Sequence, residues 1–379
     1  MHLNRRTAIK QMLAGAASLP FAGSIAALPP RPVRAKRMLF LGGTGFLGPH
    51  MVTSAIEQGY HITLFTRGRA GLELFPDAER LTGDRASDLS ALEGKTWDVV
   101  IDNSGYVPAD VRRSTTLLHD SVGHYMYTST IDAYRDFREP NITEDYPLAR
   151  LPDGAPHNPG RYYGALKALC EAEVTSAFPG KYTIIRPGWV VGPGDTNHLF
   201  TYWVMRIRQG GEFIAPGTPT DPVQMVDARD LGAFVIRLAD ERVAGAFTAV
   251  RPPMGFGEML AAIAKGLNTT IQPVWVDADW LKSKGIRPYF DMPLWWPPRN
   301  DYDVPNMPSG LGGGVGAFRM SGAKAARAGL THRDVADSAR DTLAWYEREH
   351  KGQWPEKGRP GLTRVREQAL LEEWKSTRR

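Results

Sequence analysis

The chain has a single cysteine, Cys170, among its 379 residues. That excludes an internal disulfide, and no Cys or His spacing of a metal site is present. No uninterrupted apolar run reaches about 18 residues, which excludes a bundle of membrane-spanning helices. Internal repeats are absent. So is a strong excess of one charge: 46 Lys and Arg stand against 41 Asp and Glu, a formal net charge of +5. With 42% hydrophobic and 23% charged residues, the composition excludes a disordered chain and a coiled coil. These fractions are those of a soluble globular protein, long enough for two domains or one large α/β domain with an appendage.

The first residues read as a targeting segment outside the fold. Asn4-Arg5-Arg6-Thr7-Ala8-Ile9-Lys10 resembles the twin-arginine export signal, and a weakly apolar, Ala- and Gly-rich stretch follows over residues 11–26. Ser24-Ile25-Ala26 offers a small-x-small cleavage site. The expectation is export by the twin-arginine route to a periplasmic or extracellular location. A basic leader on a cytoplasmic protein is the alternative, and whether the segment is cleaved stays open. Residues 1–26 carry Arg5, Arg6 and Lys10 and no carboxylate, so their removal lowers the net charge from +5 to +2. A near-neutral remainder argues against a nucleic-acid partner. It leaves a small-molecule substrate, no stable membrane insertion after cleavage, and room for a homodimer.

Beyond residue 36 the pattern alternates between strand and helix. Short apolar runs at 38–41, 61–65, 80–82, 98–101, 124–127 and 182–186 read as strands. Helical spacing marks 46–58 and 161–178. This alternation implies βαβ units and a doubly wound parallel sheet. The texture changes after Pro187, where Pro and Gly interrupt the periodic segments. Residues 292–316 read as a long irregular loop carrying Trp295 and Trp296, equally a hydrophobic plug or a substrate contact. Helices are expected at 333–349 and 363–374. The expected organisation is a signal segment at 1–26 and a nucleotide-binding domain at 36–187, to which later segments return. A mainly substrate-binding region at 188–349 and a tail helix within 350–379 complete it.

The first chemical signal is Gly42-Gly43-Thr44-Gly45-Phe46-Leu47-Gly48 between the first strand and the first helix. Gly42 permits the tight turn, Gly45 the approach of a pyrophosphate to the backbone, and Gly48 close helix–sheet packing. A dinucleotide is the implied ligand. After the second strand the chain has Thr66-Arg67-Gly68-Arg69 where an acidic residue would bind a ribose 2′-hydroxyl. Arg67 and Arg69 suit a 2′-phosphate, which favours NADP while leaving NAD possible.

Six motifs resemble, in order, those of the extended short-chain dehydrogenase/reductases of the NAD-dependent epimerase/dehydratase family. They are Gly42–Gly48, Gly83-Asp84-Arg85, Asp102-Asn103-Ser104-Gly105, Tyr127–Tyr134, Tyr163-Gly164-Ala165-Leu166-Lys167 and Arg186–Asp195. The likeness runs from about Lys36 to Asp240. It implies a Rossmann sheet with a smaller C-terminal α/β substrate domain, in an NAD(P)-dependent oxidoreductase or isomerase. The implied cofactor set adds Thr44, Phe46, Leu47 and Pro187 to the glycines, with Asp84 and Arg85 by the adenine and Ser104 at the end of the fourth strand. The implied catalytic set is Tyr163 as acid/base, Lys167 four residues on to stabilise its phenolate and hold the nicotinamide ribose, and Thr130 to bind the substrate oxygen. Ser129 is the alternative to Thr130, and Tyr162 the alternative to Tyr163. Asp195, Asn197 and His198 follow the Gly192-Pro193-Gly194 turn toward the substrate, His198 reading as a loop histidine. Two functions remain: hydride transfer at a carbinol carbon of a sugar-like or other small hydroxylated substrate, or a non-catalytic NADP-binding, regulatory or RNA-binding relative. Substrate identity is not legible.

Overall fold

Alternating apolar side chains build the sheet and both of its faces. The structure, a computed structural model, describes residues 36–302, 313–351 and 359–377; the export-signal reading of 1–26 lies outside them. The first six strands are β1 (Arg37–Leu41), β2 (His61–Thr66), β3 (Glu79–Thr82), β4 (Trp97–Asp102), β5 (Val122–Thr128) and β6 (Tyr182–Pro187). Short strands β7 (Val190–Val191), β8 (Glu212–Pro216), β9 (Pro222–Val223) and β10 (Val226–Asp227) precede β11 (Gly245–Ala249). Seven of these form one sheet in the order β3-β2-β1-β4-β5-β6-β11, every pairing parallel. The order reverses between β1 and β4. Ligands of doubly wound sheets bind outside the carboxyl ends of the strands at such a reversal.

Successive side chains of β1 point to opposite faces. Met38 and Phe40 pack with α1 (Leu47–Glu57) through Met51, Val52 and Ala55. Leu39 and Leu41 face the other layer, formed by α2 (Pro108–Leu118) and α3 (Pro159–Ala177). Val111, Leu118, Cys170 and Val174 close that side. A sheet covered on both faces reads as near-continuous apolar runs, as these strands do.

Two local features depart from the expectations. Helix α2 was not anticipated, because its buried face includes Ser114 and Thr115, whose hydroxyls donate to Val111 O and Arg112 O at 2.9 and 3.1 Å. Pro108 starts it at a position where a missing N–H costs nothing. Helix α3 contains a break at Tyr162 (φ −126°, ψ 36°), so its regular part begins at Tyr163. After α4 (Leu199–Arg208) the chain returns to the sheet: α5 (Ala228–Glu241) packs beside α1 through Leu231 and Val235, and β11 forms an edge.

A separate apolar cluster holds the remaining elements. These are β12 (Met254–Gly255), α6 (Phe256–Gly266), β13 (Gln272–Val276), α7 (Ala278–Ser283), α9 (Val335–His350) and α10 (Arg364–Ser376), whereas α8 (Ala323–Arg327) packs through Ala325 on the α1 and α5 side of the main sheet. Trp203, Phe256 and Leu260 meet Leu370 of α10 there, and Trp295 and Trp296 are buried in the same cluster. Trp295 Nε1 donates to Asp221 Oδ2 at 2.8 Å. A buried ion pair, Arg206–Glu367 at 2.7 Å, ties α10 to α4.

The end of β4 is anchored by charge. Asp102, fully buried, accepts both Arg85 Nη atoms at 2.5 and 2.9 Å and the Tyr125 hydroxyl at 2.8 Å. Arg85 holds its carboxyl below the usual range against the cost of burial. Removing one partner of a buried pair leaves an uncompensated charge, which costs about 3–5 kcal/mol. Arg85→Met is therefore expected to lower unfolding free energy by about that amount in chemical denaturation, and Arg85→Met/Asp102→Leu to recover most of it. An unshifted midpoint in the single variant would show that the pair does not anchor β4.

Candidate active site

A cavity of about 560 Å³ opens where the central strands end, lined by Gly42, Gly45 and Gly48 on one side and Thr130, Tyr163 and Lys167 on another. The glycines differ in what demands them. Gly42 holds φ +90°, in the left-handed region where a Cβ is strained. A Cβ on Gly48 would lie 2.4 Å from the Gly43 carbonyl carbon, so α1 packs against the turn only without a side chain. A Cβ on Gly45 meets nothing within 4 Å. It would project into open space beside the cavity. The first turn of α1 has no side-chain cap and no acidic residue, which leaves its N-terminal amides to an anion.

The other residues expected at the nucleotide divide. Phe46, Leu47, Lys167 and Pro187 line the cavity. Thr44, Arg67, Asp84, Arg85 and Ser104 are not among its walls. Thr44 packs beside Gly71. Arg67 and Arg69 are exposed just beyond β2. Asp84 closes a turn by accepting from Ala86 N at 3.0 Å. Arg85 is engaged by Asp102, and Ser104 donates to Leu41 O at 3.1 Å.

Lys167 is 2% exposed, and its Nζ donates to Gly105 O at 2.9 Å and Thr128 O at 2.6 Å. The ammonium sits 4.2 Å from the Tyr127 ring centroid. Burial lowers its pKa to about 8, so it carries its proton at neutral pH and loses it as pH rises through that value. Tyr163 moves oppositely. Burial is the largest cause holding its phenol above the ordinary value, the charge of Asp132 adds to it, and the Thr130 hydroxyl opposes it. Thr130 caps the 3-10 turn Ile131–Ala133, accepting from Asp132 N at 3.1 Å.

The two alternatives are otherwise engaged. Ser129 donates to Glu171, which pairs with Arg186 at 2.7 Å, although Ser129 also borders the cavity. Tyr162 lines a separate groove with Arg135 and Leu169. Asn197 is on the cavity wall, whereas Asp195 is buried below it and His198 contacts Arg359.

Among the wall residues to which the sequence gave no role, three carry chemistry that bears on a substrate. Asp132 borders the cavity, and burial raises its carboxyl to about 7. Trp189 and Tyr289 stand nearby. A polar residue within the Ile131–Tyr134 run, just past a parallel strand, is the signal that could have found Asp132. Nothing distinguishes Tyr289 within its Pro-rich surroundings. Among the described residues no group of three or more His, Cys, Asp or Glu could hold a metal ion.

A family model described as the NAD dependent epimerase/dehydratase family matches residues 38–248. The chloroplast stem-loop binding protein of 41 kDa b from Arabidopsis thaliana is 25% identical over 232 residues, covering 55% of this chain and 56% of that protein. The chain thus spans little more than half the length of that relative. UDP-glucuronic acid 4-epimerase from Bacillus cereus, solved in complex with NAD, superposes with a TM-score of 0.60 at 12% identity, over 84% of this chain and 98% of that one. The Bordetella bronchiseptica enzyme WbmH, in complex with NAD+, gives 0.60 at 14% identity, over 83% and 99%. At these identities the solved structures establish the Rossmann-type fold.

Because Gly45 borders open space, Gly45→Val should fold normally yet obstruct the backbone where a pyrophosphate must approach. Calorimetry is expected to show at least a tenfold loss of NAD and NADP affinity, about 1.4 kcal/mol. Undiminished binding would place the nucleotide elsewhere.

Proposed function

The chain belongs to the NAD dependent epimerase/dehydratase family, matched over residues 38–248, and from that premise we propose a nicotinamide-dependent enzyme that moves a hydride at a carbinol carbon of a small hydroxylated, sugar-like substrate. The observation that carries this reading is that Thr130, Tyr163 and Lys167 share a wall of the cavity on which the glycine turn opens.

A nicotinamide nucleotide held along the glycine turn and by Lys167 would, when bound, supply the hydride acceptor. The protein handles the matching proton. Tyr163 takes it from the substrate hydroxyl as the C–O bond becomes a carbonyl, and returns it when the carbonyl is reduced. Thr130 hydrogen-bonds the same oxygen and fixes its distance. Lys167, protonated at neutral pH, provides the positive charge that favours the phenolate over the phenol. Burial raises Tyr163, so a base at this position needs that charge and the positive field of an occupied site.

Exposed Arg67 and Arg69 beyond β2 support NADP as the preferred nucleotide, while two of the compared structures hold NAD. The Asn4–Lys10 motif supports export of the folded, loaded protein. A redox-neutral cycle on a captive nucleotide suits that location: epimerisation through a keto intermediate, or coupled oxidation and reduction of two substrates.

A second reading, binding of a stem-loop nucleic acid without catalysis, is favoured by the name of the Arabidopsis relative. Lys167→Met separates the two. An enzyme loses turnover while retaining nucleotide, whereas a stem-loop binder keeps its RNA mobility shift.

Two outcomes test the main reading. Tyr163→Phe is expected to lower turnover by about 10²–10⁴-fold with little change in nucleotide affinity. Tyr162→Phe, altered in a different groove, should be nearly silent; the reverse pattern would misassign the acid/base. Calorimetry on apo protein should show NADP binding at least tenfold tighter than NAD, as about 1.5–3 kcal/mol of charge-assisted contact implies. Equal affinities would remove the role given to Arg67 and Arg69.

A further inference from the structure

The substrate half of the cavity is built from aromatic rings and a carboxyl, without the cations a diphosphate needs. Among its described walls Lys167 is the one basic side chain, and two backbone carbonyls already hold its Nζ. The neighbouring loop offers little more. Arg287 pairs with Asp291, and Arg299 with Asp279. Arg359 lies against His198 and lines a different groove.

The remaining device for an anion would be the N-terminus of α4, whose first residue Leu199 reaches the cavity wall. That terminus is already served from inside. Asp195, fully buried, accepts from Asn197 N at 2.9 Å and His198 N at 3.0 Å. The protein's own carboxyl thus occupies the position a substrate phosphate would take.

Aromatic rings stand where the charges are missing. Trp189 packs against Phe318 with centroids 4.2 Å apart and the rings tilted by 32°. Tyr289 is held at φ +65°, its N–H directed to Met292 O and Trp295 O. Such a conformation persists in a bulky residue only where its surroundings enforce it. Trp189, Tyr289 and Asp132 also border a second, small recess of about 20 Å³ lined by Trp295 and Trp296, enough for one water-sized polar group.

Resting on the hydride-transfer reading above, we propose that the substrate is an uncharged, hydroxylated ring compound with no nucleotide diphosphate, its ring against Trp189 and Tyr289, one hydroxyl on Asp132 and its reacting hydroxyl at Thr130 and Tyr163. Aromatic faces accept the apolar face of such a ring, and the few convergent polar groups orient it. A diphosphate here would lose its hydration without a partner of opposite charge. The carboxyl of Asp132, moved toward its neutral form by burial, can exchange hydrogen bonds with a neutral hydroxyl and offers no positive charge to an anion.

The test is calorimetric titration of the full chain with phenyl β-D-glucopyranoside, UDP-glucose and UDP, each with and without NAD. The expected result is saturable binding of the phenyl glucoside at least tenfold tighter than UDP-glucose, and at least a tenfold loss of that binding in Trp189→Ala and Asp132→Asn. UDP or UDP-glucose binding as tightly as the glucoside overturns the proposal, as does no saturable glucoside binding in either state. NAD affinity and absorbance at 340 nm report separately on the hydride-transfer reading, so its failure is distinguishable from failure of the substrate class.

Discussion

The site depends on one close backbone contact. A Cβ on Gly164 would lie 1.9 Å from the carbonyl oxygen of Asp132, so α3 reaches the turn after β5 only because position 164 has no side chain. That approach sets Tyr163 on one side of the contact and Lys167 one helical turn further on, against the carbonyls of Gly105 and Thr128. The break at Tyr162 contributes by starting the regular helix at Tyr163. Thr130 caps the turn that Gly164 presses upon, which ties the hydroxyl, the phenol and the amine to one piece of backbone geometry.

Burial then sets the electrostatics. It moves Lys167 down and Tyr163 up, each toward its neutral form. Asp132 is moved the same way. A cavity that disfavours charge on every titratable wall residue favours proton exchange near neutrality over retention of permanent anions. Arg85 and Asp102 show the contrasting arrangement, a buried pair so fully bonded that both charges persist and serve to hold β4 in place.

Much of this was legible in the sequence because it follows from backbone geometry. The alternation of Met38, Phe40 with Leu39, Leu41 marks a strand covered on both faces, and glycines 42, 45 and 48 lie at a strand–helix junction whatever surrounds them. The parts that were not legible depend on tertiary partners. Helix α2 hides its apolar face behind Ser114 and Thr115, which satisfy their hydroxyls within the helix. Arg85 sits in a motif expected beside the adenine, yet the carboxyl of Asp102, seventeen positions away, takes its guanidinium. Tyr289 comes to the cavity through a loop with no periodicity. Trp295 and Trp296 were evenly balanced between plug and contact, and the structure buries both while leaving them at the edge of the recess.

The central claim is that Tyr163 becomes a base only when the nucleotide site is filled. It is tested most directly by ultraviolet titration of tyrosinate in apo and NAD-loaded protein, with Tyr163→Phe subtracted to isolate one phenol from the 13 tyrosines. The account predicts that Tyr163 ionises above pH 10 in apo protein and below it once NAD is bound, following the ordinary tyrosine value of about 10. An ionisation unchanged by NAD, or a difference spectrum that Tyr163→Phe does not abolish, would contradict it.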